Sequence, residues 1–279
     1  MNTLDPHQIQ LITMALLEDI GSGDLSARLI PVHTDVRAQI LSREAAVLCG
    51  APYATEVFNQ VNPAIKLTWI AQDGDHLIPN QVFCTLAGPA QGILSAERTA
   101  LNFLQTLSAT ASRTAYFVKL IKDTDAVLLD TRKTLPNLRV AQKYAVKTGG
   151  AENHRLGLFD AVLIKENHIA ACGSITKAIA ACKKTSPTAK MIIEVENLSQ
   201  LQEAIAAGAA HIMLDNFSLP LIKKAVLMKP EGVKLEASGG INEENIREVA
   251  ETGVDYISLG TLTKDIEAID LSLIVLEIQ

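Results

Sequence analysis

AVLLDTRK (126–133), AVLIKEN (161–167), MIIEVEN (191–197), HIMLDNF (211–217), VKLEASGG (233–240) and YISLGT (256–261) are six apolar runs that each stop on a polar or glycine residue. The stops, at Asp130, Lys165, Glu194, Asp215, Ser238 and Gly260, fall 35, 29, 21, 23 and 22 residues apart. Each interval has room for one strand, one loop and one helix, so the pattern predicts a repeated βα unit and a parallel α/β barrel. In such a barrel the carboxyl ends of successive strands converge on one mouth, which is where the fold carries its chemistry. Residues far apart in sequence would meet there.

Composition limits what that mouth can bind. The 279 residues, 48% of them hydrophobic, suffice for a substantial core in one or two domains. A net charge of −6 and a pI near 5.6 offer no positive field to attract nucleic acid or an anionic membrane. The charge is uneven: Arg98 to Lys165 holds eleven Lys and Arg against five Asp and Glu, a local +6 that leaves −12 for the remainder. A cationic patch inside an acidic chain points to a small, highly anionic ligand. Cys49, Cys84, Cys172 and Cys182 form neither a CxxC pair nor a metal-type spacing with the six histidines, which suits a reduced cytoplasmic protein. The apolar stretch from Leu11 to Leu17 is cut short by Glu18 and Asp19 and has no basic segment before it, so neither a signal peptide nor a membrane span is expected.

Upstream of the runs the pattern changes. Asp5 and Pro6 start a helix whose apolar positions are Ile9, Ile12 and Leu16, and Gly21 to Gly23 end it. Val36 to about Leu86 alternates short β-like runs with turns at Asp73-Gly74-Asp75 and Pro79-Asn80, with a helix over Tyr53 to Val61, which predicts a small α+β domain of mainly antiparallel strands. Ile93, Leu94, Leu101, Leu104 and Leu107 then lay a stripe on a long helix. The domain boundary is expected near residue 108: 1–107 as the first domain, joined by a tail over 266–279, and 108–265 as the barrel.

Arg132, Lys133 and Lys165 each follow a run apolar enough to be a buried strand, and burying a cation there costs several kcal/mol unless an anion compensates it. A bound anionic ligand would do so. Arg139, Lys143 and Lys147, by contrast, read as the solvated face of a helix. Glu194, Glu196 and Asp215 are acids near strand ends; Ser199 and Ser218 are equally good helix caps nearby, which frees Glu194 and Asp215 to hold Mg²⁺ shared with substrate phosphates. Ser238, Gly239 and Gly240 precede the helical stretch NEENIREVAE, and Leu259, Gly260 and Thr261 end the next strand, so both are phosphate-cradle candidates. GSGDLS at Gly21 follows a helix and not a strand, no GxxxxGK[ST] loop exists, and VLLDT lacks the second acid of the common phosphoribosyltransferase motif.

Beyond single residues, LEDIGSGDLS (17–26), AERTALNFLQ (96–105), LDTRKTLPNLR (129–139), ENHRLGLFDAVLIKENH (152–168), EVENLSQL (194–201), MLDNF (213–217), EASGGI (236–241) and ISLGTLTK (257–264) closely resemble the quinolinate phosphoribosyltransferases, in order and nearly end to end. The resemblance implies an amino-terminal α/β sandwich joined by the carboxyl-terminal tail, plus an open seven-stranded α/β barrel of the type II phosphoribosyltransferase kind. Six strands are clear, and Thr148 to Arg155 could hide the seventh. It implies reaction of quinolinate with 5-phosphoribosyl-1-pyrophosphate to give nicotinate mononucleotide, pyrophosphate and CO₂ on the route to NAD. It further implies that Arg132, His154, Arg155 and Lys165 hold the two quinolinate carboxylates, that Lys133 lies near the pyrophosphate, and that Thr131 is among the substrate-binding residues. Glu194 and Asp215 would face ribose and Mg²⁺, while Ser238 to Gly240 and Leu259 to Thr261 hold the 5-phosphate. Arg98 would be donated across a homodimer interface. Two rivals remain: an aldolase-like lyase using Lys165 as an imine-forming amine, and a non-catalytic relative linked to molybdate uptake.

Overall fold

The computed structural model describes residues 4–278, and their contacts divide the chain into two compact units. The first comprises residues up to 115, 135–150 and from 265 onward. Its elements begin with α1 (Pro6–Ile20), where the Asp5 carboxylate accepts from the Gln8 amide at 2.9 Å and the Gln8 side chain accepts from the Asp5 amide at 2.7 Å. This reciprocal pair satisfies two amide donors at the start of the helix. There follow β1 (Asp35–Ser42), β2 (Ala46–Val47), α2 (Ala51–Val61), β3 (Lys66–Trp69), β4 (His76–Leu77), β5 (Val82–Pro89) and the 31-residue α3 (Ala90–Leu120).

β1, β3 and β5 pair antiparallel, and β2 pairs with β4 in a separate ribbon. Ile40, Tyr53, Phe58, Phe83, Leu101, Leu104 and Leu107 are fully buried in one core. The tail expected to return does so as a strand, Leu271–Ile278, paired antiparallel with β1 to complete a four-stranded sheet. The division differs from the one drawn on the sequence. α3 runs through residue 108 without a break, and the helix α4 (Arg139–Thr148) belongs to the first unit, with Ala141 and Ala145 in its core. Lys143, read from sequence as solvated, is buried on that helix, while Lys147 is exposed as expected.

The second unit holds 116–134 and 151–264. Strand β6 (Val127–Leu129) is followed by β7 (Ala161–Ile164), α5 (Glu166–Cys172), α6 (Ile175–Thr185), β8 (Lys190–Val195), α7 (Leu198–Ala206), β9 (His211–Asp215), α8 (Leu219–Met228), β10 (Lys234–Ser238), α9 (Ile246–Ala250), β11 (Tyr256–Ser258) and α10 (Thr261–Lys264), and the carboxyl-terminal strand of the first unit is then β12. All six strands are parallel in the order β6-β11-β10-β9-β8-β7, so the first strand pairs with the last, the signature of a sheet curling on itself. The seventh position is a single bridge between Leu129 and Glu152, with the Glu152 amide donating to Leu128 and the Asp130 amide to Glu152. Among the described residues no ladder joins β7 to Glu152, so the barrel stays open there.

Register stacks the inward positions in tiers. Glu194, Met213, Glu236 and Tyr256 are mutual partners at one level; Asp215, Ser238, Ser258 and Leu129 form the level above; Ile192 lies level with Leu163, and His211 with Lys234, one step below. Residues paired across parallel strands project to the same face, so each tier delivers its side chains together.

Candidate active site

Residues of these tiers line a cavity of about 480 Å³, wholly within the second unit. Eleven of the residues singled out from sequence line it: Thr131, Arg132, Lys133, His154, Arg155, Lys165, Glu194, Asp215, Ser238, Gly239 and Gly240. They come from the ends of β6, β7, β8, β9 and β10 and from the loop after Glu152, which is the convergence that the spacing demands. Arg98, Leu259, Gly260 and Thr261 are not in the lining. Arg98 is exposed on α3, and Leu259 is buried with its amide bonded to Leu129. Gly260 acts indirectly: a Cβ there would run into the Lys133 side chain, which lies over it.

The cations stand on one side. Lys133 turns into the site because its amide donates to the Thr131 hydroxyl at 3.0 Å, and the Thr263 hydroxyl donates to the Lys133 carbonyl at 2.8 Å. His154 is fixed by the buried Asp130, whose carboxylate accepts its amide at 2.8 Å; Asp160 accepts the amides of Leu156 and Gly157 and so tightens the turn after Arg155. Burial, and next the neighbouring Arg132 charge, lower the Arg155 guanidinium below the usual arginine value, with Asp160 opposing them. Two guanidiniums that repel one another in a desolvated pocket constitute a demand for anions. The desolvation argument drawn from sequence does not hold for Lys133, which is exposed, and is weak for Lys165, whose side chain is 44% exposed and paired with Glu194 at 3.0 Å. What distinguishes these lysines from the others is the shared cavity.

The acids face them. Burial raises the Glu194 carboxyl above its ordinary value, Lys165 pulls it back, and Asp215 and Glu166 add to the rise. Asp215 accepts from the Asn216 carboxamide at 2.9 Å. Glu196 is exposed beyond the end of β8 and lines only a smaller neighbouring cavity of about 170 Å³. The helix caps fall differently from expectation: α7 is capped by Asn197, which accepts the Gln200 amide at 3.0 Å, and Ser218 stands at the start of α8 without a side-chain cap bond. Neither Glu194 nor Asp215 caps a helix. Among the described residues no group of three or more His, Cys, Asp and Glu could cage a metal.

At the third side, Gly239 and Gly240 turn the chain at φ +86 and +64, in the left-handed region that disfavours a side chain. The following helix α9 has five residues and begins at Ile246, so the glycine turn and not a helix terminus faces the cavity, a correction to the sequence reading. Leu163, Met213, Asn216 and Ser258 also line the site and were not anticipated. Leu163, Met213 and Ser258 sit inside apolar runs, two residues before a singled-out position, where only strand alternation would have marked them.

Comparison with known proteins matches nearly the whole chain. Residues 24–108 match the family model described as quinolinate phosphoribosyl transferase, N-terminal domain, and residues 110–274 match quinolinate phosphoribosyl transferase, C-terminal domain. The chain belongs to the quinolinate phosphoribosyltransferase family. It is 46% identical to a solved structure titled as the nicotinate-nucleotide pyrophosphorylase from Francisella tularensis, which superposes with a TM-score of 0.94 over 99% of this chain and 98% of the other. It is 41% identical to the Bacillus subtilis (strain 168) protein named "Probable nicotinate-nucleotide pyrophosphorylase (carboxylating)" over 95% of this chain and 92% of that one. It is 39% identical to the Mycobacterium leprae (strain TN) nicotinate-nucleotide pyrophosphorylase (carboxylating) over 94% and 95% of the two chains. A phosphoribosyltransferase of this family needs a mouth that accepts two anionic substrates, and the cation set provides one. The lyase and the non-catalytic readings lose their ground.

Proposed function

We propose that this cavity carries out the family reaction on quinolinate and 5-phosphoribosyl-1-pyrophosphate, with Arg132, His154, Arg155 and Lys165 around the two pyridine carboxylates and Lys133 near the pyrophosphate. The observation that carries this is the meeting of these five side chains in one 480 Å³ cavity opposite Glu194 and Asp215. The ring nitrogen attacks the anomeric carbon as pyrophosphate leaves, so positive charge grows on the sugar and negative charge on the leaving group. The lysine and arginine cations are fixed where the negative charge appears, before the reaction begins. Loss of CO₂ then leaves an electron pair on the ring carbon beside the now cationic nitrogen, which needs no imine, and that carbon takes a proton from water to give nicotinate mononucleotide. Lys165 acts as a charge, held by its ion pair with Glu194.

Glu194 and Asp215 suit Mg²⁺, a hard ion that takes one or two carboxylates and completes its shell with water and substrate phosphates. Bound there, it would neutralise charge on the departing pyrophosphate. The glycine turn at 239–240, free of side chains, suits the 5-phosphate, with Ser238 beside it. We further propose a homodimer in which Arg98, exposed and outside the lining of one copy, enters the site of the other. Free thiols at all four cysteines, with Cys172 exposed, suit a reducing cytoplasm, and no described helix is long and apolar enough to cross a membrane.

The test is release of CO₂ from carboxyl-labelled quinolinate by the purified chain. Release is expected only with the phosphoribosyl donor and Mg²⁺ both present; release without the donor refutes the reading. Mixing inactive Arg98→Ala and Arg155→Ala chains should restore activity through subunit exchange. Failure to do so would overturn the shared site alone.

A further inference from the structure

Level with Met213 of the cavity lining but outside that lining, the barrel contains a carboxylate that the reaction does not use. Glu236 lies in the middle of β10 and is 0% exposed. One of its oxygens, Oε2, meets His211 Nε2 at 2.8 Å and His154 Nε2 at 3.4 Å. His211 is itself buried, and its ring lies against Tyr256 with centroids 5.1 Å apart. A buried anion is a poor choice for stability, because desolvation offsets most of the attraction and an apolar side chain of similar size would serve the core as well. Burial alone would raise the Glu236 carboxyl, yet the His154 and His211 rings beside it hold it down to about 2, which favours the anion.

The geometry at His154 shows what the anion is for. His154 Nδ1 accepts the Arg155 backbone amide at 2.8 Å, so that nitrogen bears no proton, and the ring proton sits on Nε2, toward Glu236. We infer that Glu236 and His211 are positioning residues for quinolinate: together they fix the tautomer and ring plane of His154, and through Nδ1 they pin the backbone of Arg155. His211 is outside the cavity lining; it bonds Glu236, and its ring also lies tilted against that of His154 with centroids 6.5 Å apart. This role rests on the placement of His154 and Arg155 at the pyridine carboxylates.

The experiment combines imidazole ¹⁵N spectra with steady-state kinetics on the full-length enzyme. In the unmodified protein at neutral pH, His154 should show the Nε2–H tautomer, and Glu236→Leu, which removes the acceptor facing Nε2 and leaves only the Arg155 amide to select the tautomer, should weaken that preference. His211→Phe, which preserves ring volume but not the donor, should raise KM for quinolinate about tenfold, the worth of one lost hydrogen bond. KM for the phosphoribosyl donor should stay within about twofold, and His211→Gln, which keeps a side-chain N–H, should recover most of the loss. A tautomer ratio unchanged in Glu236→Leu overturns the proposal. So does a His211→Phe protein with a lowered melting temperature but unchanged KM for quinolinate, since that marks a purely structural role. If His154→Ala leaves KM for quinolinate unchanged, the placement of the substrate is wrong and the positioning role falls with it. The spectra still report separately whether the histidine network exists.

Discussion

Replacing Gly239 and Gly240 one at a time by alanine separates two contributions that usually travel together. Both glycines have positive φ, +86 and +64, so each alanine pays similar left-handed strain, about 1 to 2 kcal/mol. Their surroundings differ. A Cβ at Gly240 meets nothing within 4 Å, whereas a Cβ at Gly239 would overlap the Asn216 carboxamide. That carboxamide donates to Asp215 at 2.9 Å, and the Asn216 amide donates to the Ser238 carbonyl at 2.9 Å. Displacing Asn216 therefore endangers two hydrogen bonds, at roughly 0.5 to 1.5 kcal/mol each. Gly239→Ala should be the more destabilising of the two by about 1 to 3 kcal/mol. Urea unfolding followed by circular dichroism measures this. The control is Asn216→Gly, which removes the obstructing side chain and tolerates the φ of +54 at that position. In that background most of the extra cost of Gly239→Ala over Gly240→Ala should vanish, leaving only the close approach to the backbone nitrogen of residue 216 at 3.1 Å, a coupling that a double-mutant cycle reads directly. Equal costs in the unmodified background would refute the steric argument and detach Asn216 from the shape of the glycine turn.

Glu236 is held at about 2 in the folded protein against an ordinary 4.5, so the unfolded chain binds more protons between those values and stability must fall as pH drops through that window. Unfolding measured from pH 5 to pH 2 should show a steep acid limb worth roughly 3 kcal/mol, and Glu236→Gln should flatten it; an unchanged slope would refute the assignment. Removing divalent metal with EDTA should stop CO₂ release, and Asp215→Asn should raise the half-saturating Mg²⁺ concentration about tenfold, with an unshifted metal titration counting against that ligand. Nicotinic acid, which lacks one carboxylate, should be used 10 to 100-fold less efficiently than quinolinate, since one charge-assisted bond is worth about 1.5 to 3 kcal/mol. Comparable kcat/KM values would show that the cations do not divide between two carboxylates.

How much of this was legible in the sequence follows from where the chain changes character. A strand end is visible as the place where an apolar run stops, so Asp130, Lys165, Glu194, Asp215 and Ser238 could be read, and the barrel brings their neighbourhoods to one cavity. The interior of a run gives no such mark. Met213 and Ser258 face the cavity through strand alternation alone, and Glu236, a carboxylate inside VKLEASGG, passed for an ordinary strand residue. The seventh strand was legible only as a place: the stretch from 148 to 155 that could hide it contains the one bridge, at Glu152, held by amide bonds on either side with no apolar run to announce it.

The charged residues make the same point from the opposite side. Composition gave the +6 segment correctly but not its distribution: Lys143 is buried on α4 in the first unit, while Lys133, taken as a buried strand end, is exposed beside the cavity. Burial of a cation depends on which surfaces its helix or loop is packed between, and that is a tertiary fact that neighbours in sequence do not encode. Spacing, in contrast, is encoded, because a βα unit has a nearly fixed length and a barrel turns that length into angular position around one axis. A site assembled at strand ends is therefore readable from one sequence. Its supporting residues in the strand interiors, Glu236 level with Met213 and His211 one step lower, become readable only once the register is known.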